Sequence, residues 1–199
     1  MMRQDKDSLG VVDIPDHALW GAQTQRAIEN FRASGIPISH FPSLLRALAQ
    51  VKRAAAAVNA SQGRLDQALA SAIMQAADEV IKGAHGTHFP VGVLQGGAGT
   101  SSNMNMNMNE VLANRALAIL GHPHGAHHIL HPNNHVNLCQ STNDVYPTAI
   151  RLALMAETIG LQAALAGLAE AFATKGAACY RKTATCHAPF DLLRISHGL

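Results

Sequence analysis

IRLALMAETIGLQAALAGLAEAFA, residues 150–173, is the longest apolar run in the chain. Five of its large apolar side chains follow one another at intervals of seven, four, three and four residues: Leu154, Leu161, Leu165, Leu168 and Phe172. This spacing is close to the 3.5-residue repeat of helices that pack side by side, and a lone helix cannot bury such a seam. The run therefore predicts one helix of a bundle that needs partner helices. Four polar residues interrupt it, which argues against a membrane span: Arg151, Glu157, Gln162 and Glu170.

Two more helices are predicted on the N-terminal side of this run. Pro42 suits a first helical turn, and the apolar residues after it share one face: Leu44, Leu48, Val51, Ala55 and Val58. The second helix ends at the basic stop signal Lys82-Gly83, and its apolar face is Leu65, Leu69, Ile73, Ala76 and Val80. Together they predict a helical hairpin. Residues 8–38 contain glycines and prolines without a sustained helical period, and predict short β-prone or loop pieces.

The composition favours a helical globular protein. The chain has 199 residues, of which 48% are hydrophobic and 4% aromatic. Its length and hydrophobic content are sufficient to bury a core, and its low aromatic content favours closely packed helices over aromatic-rich strands. We predict an all-α fold. The net charge of +2 gives no field that would attract nucleic acid or an anionic membrane, which leaves small-molecule or protein partners. The polar N-terminus carries no export signal, and three unpatterned cysteines indicate reduced thiols in the cytoplasm: Cys139, Cys179 and Cys186.

Two polar loops each precede a predicted helix. In residues 96–103 the glycines let the backbone approach a ligand, and the hydroxyls of Thr100 and Ser101 can donate hydrogen bonds. Ser141-Thr142-Asn143 repeats this arrangement before a helix expected from about Val145. Free N–H groups at a helix start add a partial positive charge. Either loop alone is more often a simple turn or cap. Two loops that each take one carboxylate fit a dicarboxylate better than a nucleotide phosphate chain.

A series of motifs runs along the chain between about residue 5 and residue 178. The motifs are Trp20-Gly21-Ala22-Gln23-Thr24 with Arg26 and Asn30-Phe31, Gln95-Gly96-Gly97-Ala98-Gly99-Thr100-Ser101, Asn103-Met104-Asn105, His131-Pro132-Asn133-Asn134 and Gln140-Ser141-Thr142-Asn143-Asp144. In this order they resemble the fumarase/aspartase superfamily of lyases. The motifs GGAGTS and CQSTNDVYPTA are more similar to those of its aspartate ammonia-lyase branch than to those of its fumarases. The resemblance implies the N-terminal helical domain of that fold, followed by the first helix of its central helical bundle and truncated there.

The resemblance also implies a reaction and a site. The reaction is the reversible anti elimination of ammonia from L-aspartate to give fumarate, and the alternative is the hydration of fumarate to L-malate. Five residues would bind the dicarboxylate, the first two at one end and the others at the other end: Thr100, Ser101, Ser141, Thr142 and Asn143. A second anion site would comprise His131, Pro132, Asn133 and Asn134, where Asn134 replaces an acid common in the family. No cofactor and no metal ion are implied, and the family implies a homotetramer.

The chain departs from the family pattern after about residue 178. The family's GRTxLQDAVP loop should begin where this chain reads Tyr180-Arg181-Lys182-Thr183-Ala184-Thr185, and the later loop that carries the catalytic serine is not matched. We therefore assign no catalytic residue. Residues 1–144 are predicted as an N-terminal lyase domain with the substrate loops, 145–178 as the first bundle helix, and 179–199 as an unmatched tail of the kind that a shifted reading frame or a truncated copy would produce. The alternative to an enzyme is a noncatalytic fragment that either misfolds or docks onto a full-length paralogue through residues 150–173.

Two local features stay open at this level. The repeat Asn103-Met104-Asn105-Met106-Asn107-Met108-Asn109 has one more Met-Asn pair than the family pattern. Either the preceding loop absorbs the pair, or the following helix is rotated by about 200°. The methionines suit a core, and the asparagines suit either solvent or substrate. Six histidines in the connector could suggest a metal site, but a solvated loop is favoured: His122, His124, His127, His128, His131 and His135.

Overall fold

Helices make up most of the structure, as the composition predicts. The computed structural model describes residues 1–95 and 103–186, with the backbone alone for residues 103 and 181–186. Its helices are α1 (Ala22–Asn30), α2 (Pro42–Ser61), α3 (Gln67–Ile81), α4 (Asn103–Ile119) and α5 (Thr142–Cys186). Strands β1 (Met2–Asp7) and β2 (Gly10–Pro15) and three short turns complete the described elements: the 3-10 turns Ile38–His40 and Gly86–His88, and the π-helical turn Pro132–Val136. The contacts divide the chain into two units, Met1–Leu154 and Met155–Leu199.

The two strands form a small antiparallel hairpin, of which β2 lies in the segment predicted to be β-prone and β1 was not predicted. Met2 pairs with Pro15, and Asp7 pairs with Gly10 next to the turn. Gly10 has a φ of +124°, a conformation that residues with a side chain rarely adopt. Arg3 holds the chain that follows β2, because its guanidinium donates to the carbonyl oxygens of Ala18 and Trp20, each at 2.6 Å. The hairpin is thereby fixed to the start of α1.

The core of the first unit lies between α2, α3 and α4. Its fully buried side chains include Leu48, Ile73, Leu112, Leu117 and Phe89. The predicted hairpin of α2 and α3 is confirmed by direct packing of the two helices. Helix α3 begins after Asp66, whose carboxylate accepts hydrogen bonds from the backbone N–H groups of Ala68 and Leu69 at 2.8 and 3.1 Å. An aspartate in this position satisfies N–H groups that have no partner within the helix.

The predicted apolar face of α2 is confirmed at the buried Leu48 and is wrong at Val58. Val58, placed on the core face, is 52% exposed, whereas Lys52 and Asn59 are buried. The polar pair faces the segment that leads to α5: Lys52 Nζ donates to Asn137 Oδ1 at 2.7 Å, and Asn59 Nδ2 donates to the Leu138 carbonyl at 2.9 Å. Hydrophobic periodicity could not find this face, because part of what α2 buries is polar.

Helix α1 was not predicted, and its start explains why. Its first residue follows Gly21, which gives no side-chain cap. The cap comes from α4, because the carboxylate of Glu110 accepts hydrogen bonds from the N–H groups of Gly21, Gln23 and Thr24 at 2.8, 3.0 and 3.1 Å. A start signal that lies 89 residues along the chain leaves no local pattern.

Helix α4 begins with the Met-Asn repeat, and the residues after the repeat pack against α1 and α3. Glu110 caps α1, Asn114 Nδ2 donates to the Leu19 carbonyl at 2.8 Å, and Arg115 forms two hydrogen bonds with Glu79 of α3 at 2.6 and 2.8 Å. Met104 and Met108 are buried, as a core role predicts. The asparagines between them are buried as well, so they do not face solvent: Asn105, Asn107 and Asn109.

Helix α5 begins at Thr142, three residues before the predicted start, and extends to Cys186, past the point where the apolar repeat ends. In the first unit its Val145 and Ala149 are buried. In the second unit the seam residues Leu161, Leu165, Leu168 and Phe172 are all exposed. By length and composition the segment Thr142–Tyr180 could also cross a membrane. A bundle helix whose partner helices are not among the described residues would expose its apolar seam in the same way.

Candidate functional site at the start of helix α5

The loop predicted to bind one carboxylate forms the first turn of α5. The Ser141 hydroxyl oxygen accepts a hydrogen bond from the Asn143 N–H at 3.2 Å, and the Ser141 carbonyl accepts from the N–H groups of Asp144 and Val145 at 3.1 and 3.0 Å. Ser141 therefore caps the helix. Ser141 and Asn143 are exposed and Thr142 is half-buried, so the three side chains lie between the core and the surface at a helix N-terminus.

A buried polar cluster supports this turn from below. Its centre is Asn137 Oδ1, which accepts hydrogen bonds from Lys52 Nζ at 2.7 Å, Asn109 Nδ2 at 3.3 Å and Asn105 Nδ2 at 3.4 Å. Lys52 Nζ also donates to Gln140 Oε1 at 3.0 Å. The cluster joins α2, α4 and the segment before α5, so it fixes the position of the carboxylate loop relative to the core.

Lys52 is the ionisable member of this cluster, and the other members are amide side chains. Its side chain is fully buried, and burial lowers its pKa to about 7. Among the described side chains, Lys52 has no carboxylate partner, which is unusual for a buried lysine, because desolvation of a charge costs more than neutral acceptors return. The amide oxygens of Asn137 and Gln140 are the partners that make its burial possible.

The starts of α4 and α5 meet at this cluster. Asn105, in the first turn of α4, donates its amide hydrogen to Thr142 Oγ1 at 3.2 Å, and the Tyr146 hydroxyl donates to Met104 Sδ at 3.2 Å. Helix α4 directly follows the glycine-rich run. The two predicted carboxylate loops therefore lead into neighbouring helix starts. Thr100 and Ser101 themselves lie outside the described residues.

The predicted second anion site coincides with the π-helical turn. His131 Nδ1 accepts hydrogen bonds from the N–H groups of Asn133 and Asn134 at 3.1 and 3.3 Å, and His135 Nδ1 accepts from the His131 N–H at 2.8 Å. The N–H groups that an anion would use are thus already bound to the His131 ring. Burial, and then the nearby His127, lowers the pKa of His131, which favours the neutral ring that can accept.

A cavity of about 320 Å³ lies beside this turn, and its wall includes Asp5, Glu110, His127 and His131. His127 Nε2 lies 3.2 Å from Asp5 Oδ1. The hydrogen bond to Asp5 raises the pKa of His127. Burial raises the pKa of Asp5. The hydrogen bond and the charge of His127, with smaller contributions from Lys6 and Arg3, outweigh burial, so the pKa of Asp5 lies below its usual value. Burial also raises the pKa of Glu110, against three N–H donors that favour its carboxylate.

The histidine-rich connector is part of the fold and not a solvated loop throughout. His131 and His135 accept backbone hydrogen bonds, and His127 contacts Asp5, whereas His128 is exposed. Within residues 1–95 and 103–186, no group of three or more histidine, cysteine or acidic side chains is arranged to hold a metal ion.

The sequence prediction missed the residues beneath the loop. They are Lys52, Asn105, Asn109, Asn137 and Gln140, all of them hydrogen-bonded around the start of α5. One signal was present: Lys52 lies four residues after Leu48 and four before Ala56, in the middle of a buried face. A lysine at such a position indicates a polar partner in the core.

Known proteins similar to this chain are lyases. A family model described as "Lyase" matches residues 10–183. An aspartate ammonia-lyase of Pseudomonas canavaninivorans is 53% identical over 87% of this chain and 36% of its own length. A class II fumarate hydratase of Nitrosomonas europaea is 55% identical over 76% of this chain and 32% of its own length. The crystal structure of a fumarate lyase:delta crystallin from Brucella melitensis bound to cobalt has a TM-score of 0.83 at 52% identity, over 88% of this chain and 38% of that one.

The fold and the site together define a helical protein in which two helix starts meet around hydroxyl and amide side chains. The chain belongs to the lyase family whose model it matches over residues 10–183. It spans about a third of the length of the curated relatives that it matches.

Proposed function

We propose that this chain supplies part of the dicarboxylate site of an aspartate ammonia-lyase. The observation that carries the proposal is the meeting of the starts of α4 and α5, where Asn105 contacts the Thr142 hydroxyl at 3.2 Å. The similarity to an aspartate ammonia-lyase at 53% identity supports the choice of substrate. The reaction is the reversible conversion of L-aspartate to fumarate and ammonia.

The chemistry requires donors that are already in place. Removal of the proton beside the carboxylate breaks a C–H bond and leaves an aci-carboxylate dianion, and ammonia then leaves as the C–N bond breaks. Hydroxyl and N–H groups held in a fixed geometry stabilise that charge without ionising themselves. Ser141, Thr142 and Asn143 would bind one carboxylate of the substrate, and Thr100 and Ser101 the other. We assign no residue of this chain as the base.

Fumarate hydration is the second candidate. A class II fumarate hydratase is 55% identical over 76% of this chain, which is close to the value for the aspartate ammonia-lyase. Both reactions share the dicarboxylate and differ in the group that leaves. The part of the site formed by the start of α5 would bind the shared group in either case.

The π-helical turn is the proposed second anion site. Its residues His131, Pro132, Asn133 and Asn134 present two adjacent N–H groups, which His131 Nδ1 occupies. An anion would bind after the His131 ring turns away. The site would therefore compete with an internal cap, and its affinity would be low.

The proposed assembly is a cytoplasmic homotetramer in the intact family. For this chain, the exposed seam of α5 supports association with further helices, either in other copies or in a full-length paralogue. The exposed thiol of Cys139 suits a reducing compartment.

An activity assay tests the proposal. The purified chain is incubated with L-aspartate, and fumarate is followed by its absorbance, both alone and with a full-length relative whose own activity has been removed. Turnover above that of a Thr142→Val control supports the enzyme. If neither condition gives turnover, and fumarate does not bind the chain, the proposed function is wrong. Ammonia release from L-aspartate against L-malate formation from fumarate separates the two candidates.

A further inference from the structure

Asn105 is a buried residue of α4 whose amide group lies against the Thr142 hydroxyl. Its Nδ2 donates to Thr142 Oγ1 at 3.2 Å and to Asn137 Oδ1 at 3.4 Å. It belongs to neither predicted carboxylate loop. We propose that Asn105 is a positioning residue that orients the Thr142 hydroxyl so that its hydrogen is donated to the carboxylate of the substrate. This inference rests on the proposed function of the loop that contains Thr142.

Two backbone carbonyl groups establish which side-chain atoms in these contacts donate and which accept. The amide groups of asparagine and glutamine could each be turned over, but a backbone carbonyl oxygen only accepts hydrogen bonds. The Gln140 carbonyl accepts from Asn137 Nδ2 at 3.0 Å, and the Val136 carbonyl accepts from Gln140 Nε2 at 2.8 Å. The opposite atoms of these two side chains, Asn137 Oδ1 and Gln140 Oε1, are therefore both acceptors.

Lys52 agrees with this assignment, because its Nζ donates to both of these oxygens, at 2.7 and 3.0 Å. An acceptor at Asn137 Oδ1 requires that the amino end of Asn105 faces it. The same amino group then meets Thr142 Oγ1, so the hydroxyl oxygen accepts. With that role filled, the hydroxyl hydrogen of Thr142 points elsewhere and is preorganised to donate.

The other end of Asn105 supports the same orientation. Its Oδ1 is buried, and no group of the described residues donates to it. Turning the amide over would bring two acceptor oxygens, those of Asn105 and Asn137, face to face and would remove the donor from Thr142. Leaving Asn105 Oδ1 unpaired therefore costs less free energy than losing the two hydrogen bonds that Asn105 Nδ2 donates.

An isosteric substitution tests the inference. Asn105→Asp replaces the donor by an acceptor, so that the Thr142 hydroxyl turns toward Asp and away from the substrate. Asn107→Asp is the matched control, because Asn107 is equally buried on the same helix but donates to the His88 carbonyl at 3.0 Å. Fumarate binding to the purified 199-residue chain is measured by an NMR titration. We expect Asn105→Asp to weaken binding at least ~10-fold relative to Asn107→Asp, as loss of a charge-assisted hydrogen bond implies.

A double substitution separates orientation from general stability. In a Thr142→Val background no hydroxyl is left to orient, so the difference between Asn105→Asp and Asn107→Asp in fumarate binding should shrink to the part that charge repulsion alone produces. A purely structural role of Asn105 would keep the difference between them. Equal binding by the two single variants, or an undiminished difference in the Thr142→Val background, overturns the inference while the proposed function stands.

The orientation also has a test without a ligand. The side-chain amide signals of Asn105 should shift in Thr142→Val, and those of Asn107 should stay in place. Unchanged Asn105 signals overturn the inference whether or not fumarate binds. If the unsubstituted chain does not bind fumarate, the proposed function is the part that fails.

Discussion

Lys52 lies in an environment that a lysine seldom occupies. It is fully buried on α2, and its partners are two amide oxygens without a formal charge. Burial lowers its pKa from 10.5 to about 7. The folded chain therefore disfavours the charged ammonium relative to the unfolded chain, and the pH dependence of stability should show this.

The first prediction concerns this pH dependence. The contribution of Lys52 to the free energy of unfolding should be greatest above pH 10.5 and should fall as the pH decreases toward about 7. The slope due to Lys52 would be roughly 1.4 kcal/mol per pH unit. Lys52→Met removes the titrating group, so the stability difference between the two chains should change with this slope. Urea unfolding at pH 7, 8 and 9 measures it. A difference that is independent of pH would contradict the lowered pKa of Lys52 in the folded chain.

At the scale of elements, helix α1 depends on α4. The carboxylate of Glu110 fills the space beside Gly21, where an added Cβ would lie 2.8 Å from Glu110 Cδ. The backbone of Gly21 is extended, with φ −113° and ψ −165°, so its conformation is open to any residue. The need for glycine at this position is therefore steric.

Gly21→Ala should destabilise the chain by about 1–3 kcal/mol, because either Glu110 or the start of α1 must move. Gly86→Ala is the control, since nothing lies within 4 Å of a Cβ at that position. The midpoint of urea unfolding compares the two variants. Equal stability of both would show that Glu110 does not fill this space.

The π-helical turn is the second element whose stability depends on a distant condition, in this case pH. His131 caps it through Nδ1, which must be unprotonated to accept. Because burial lowers the pKa of His131, the folded chain favours the neutral ring. The stabilisation is complete above the unfolded pKa of about 6.5 and is lost as the pH falls through the folded value.

Amide exchange at Asn133 and Asn134, corrected for its intrinsic pH dependence, should therefore become faster below about pH 6.5. His131→Asn keeps a capping oxygen that does not titrate, so exchange in this variant should stay slow. His128→Asn, at an exposed histidine, should behave like the unsubstituted chain. If His131→Asn retains the acid sensitivity, the His131 cap is not its source.

For the whole molecule, the exposed seam of α5 predicts self-association. Leu165 and Leu168 lie together on this seam in the second unit and are both more than half exposed. An unpartnered apolar seam of this kind drives helices to pack with other copies. We expect the purified chain to elute well above the size of its 21.0 kDa monomer.

Leu165→Glu combined with Leu168→Glu should shift the elution to the monomer, because charge at the seam opposes packing. Thr174→Glu adds a charge at another exposed position of α5 and should leave the elution unchanged. Light scattering coupled to size exclusion gives the mass directly. A monomer in the unsubstituted chain would refute the prediction.

The residue pattern was sufficient for the helices whose signals are local. Leu48 and Ile73 lie on the cores of two predicted helices, and Asp66 marks the start of α3 with its own side chain. The spacing from Leu154 to Phe172 identified α5 as a bundle helix. The motif Ser141-Thr142-Asn143 likewise located a polar helix start, since side-chain type and order are properties of the chain alone.

The tertiary structure decided everything that depends on contacts between distant segments. Glu110 caps the start of α1, 89 residues earlier in the chain, and Lys52 bonds the buried face of α2 to Asn137. The orientation of the Thr142 hydroxyl follows from Asn105, which a second helix places beside it. Periodicity records which side chains avoid water, but it does not record which polar groups find each other in the core. Those pairings depend on the packed fold, and here they determine the part of the site that local motifs could not predict.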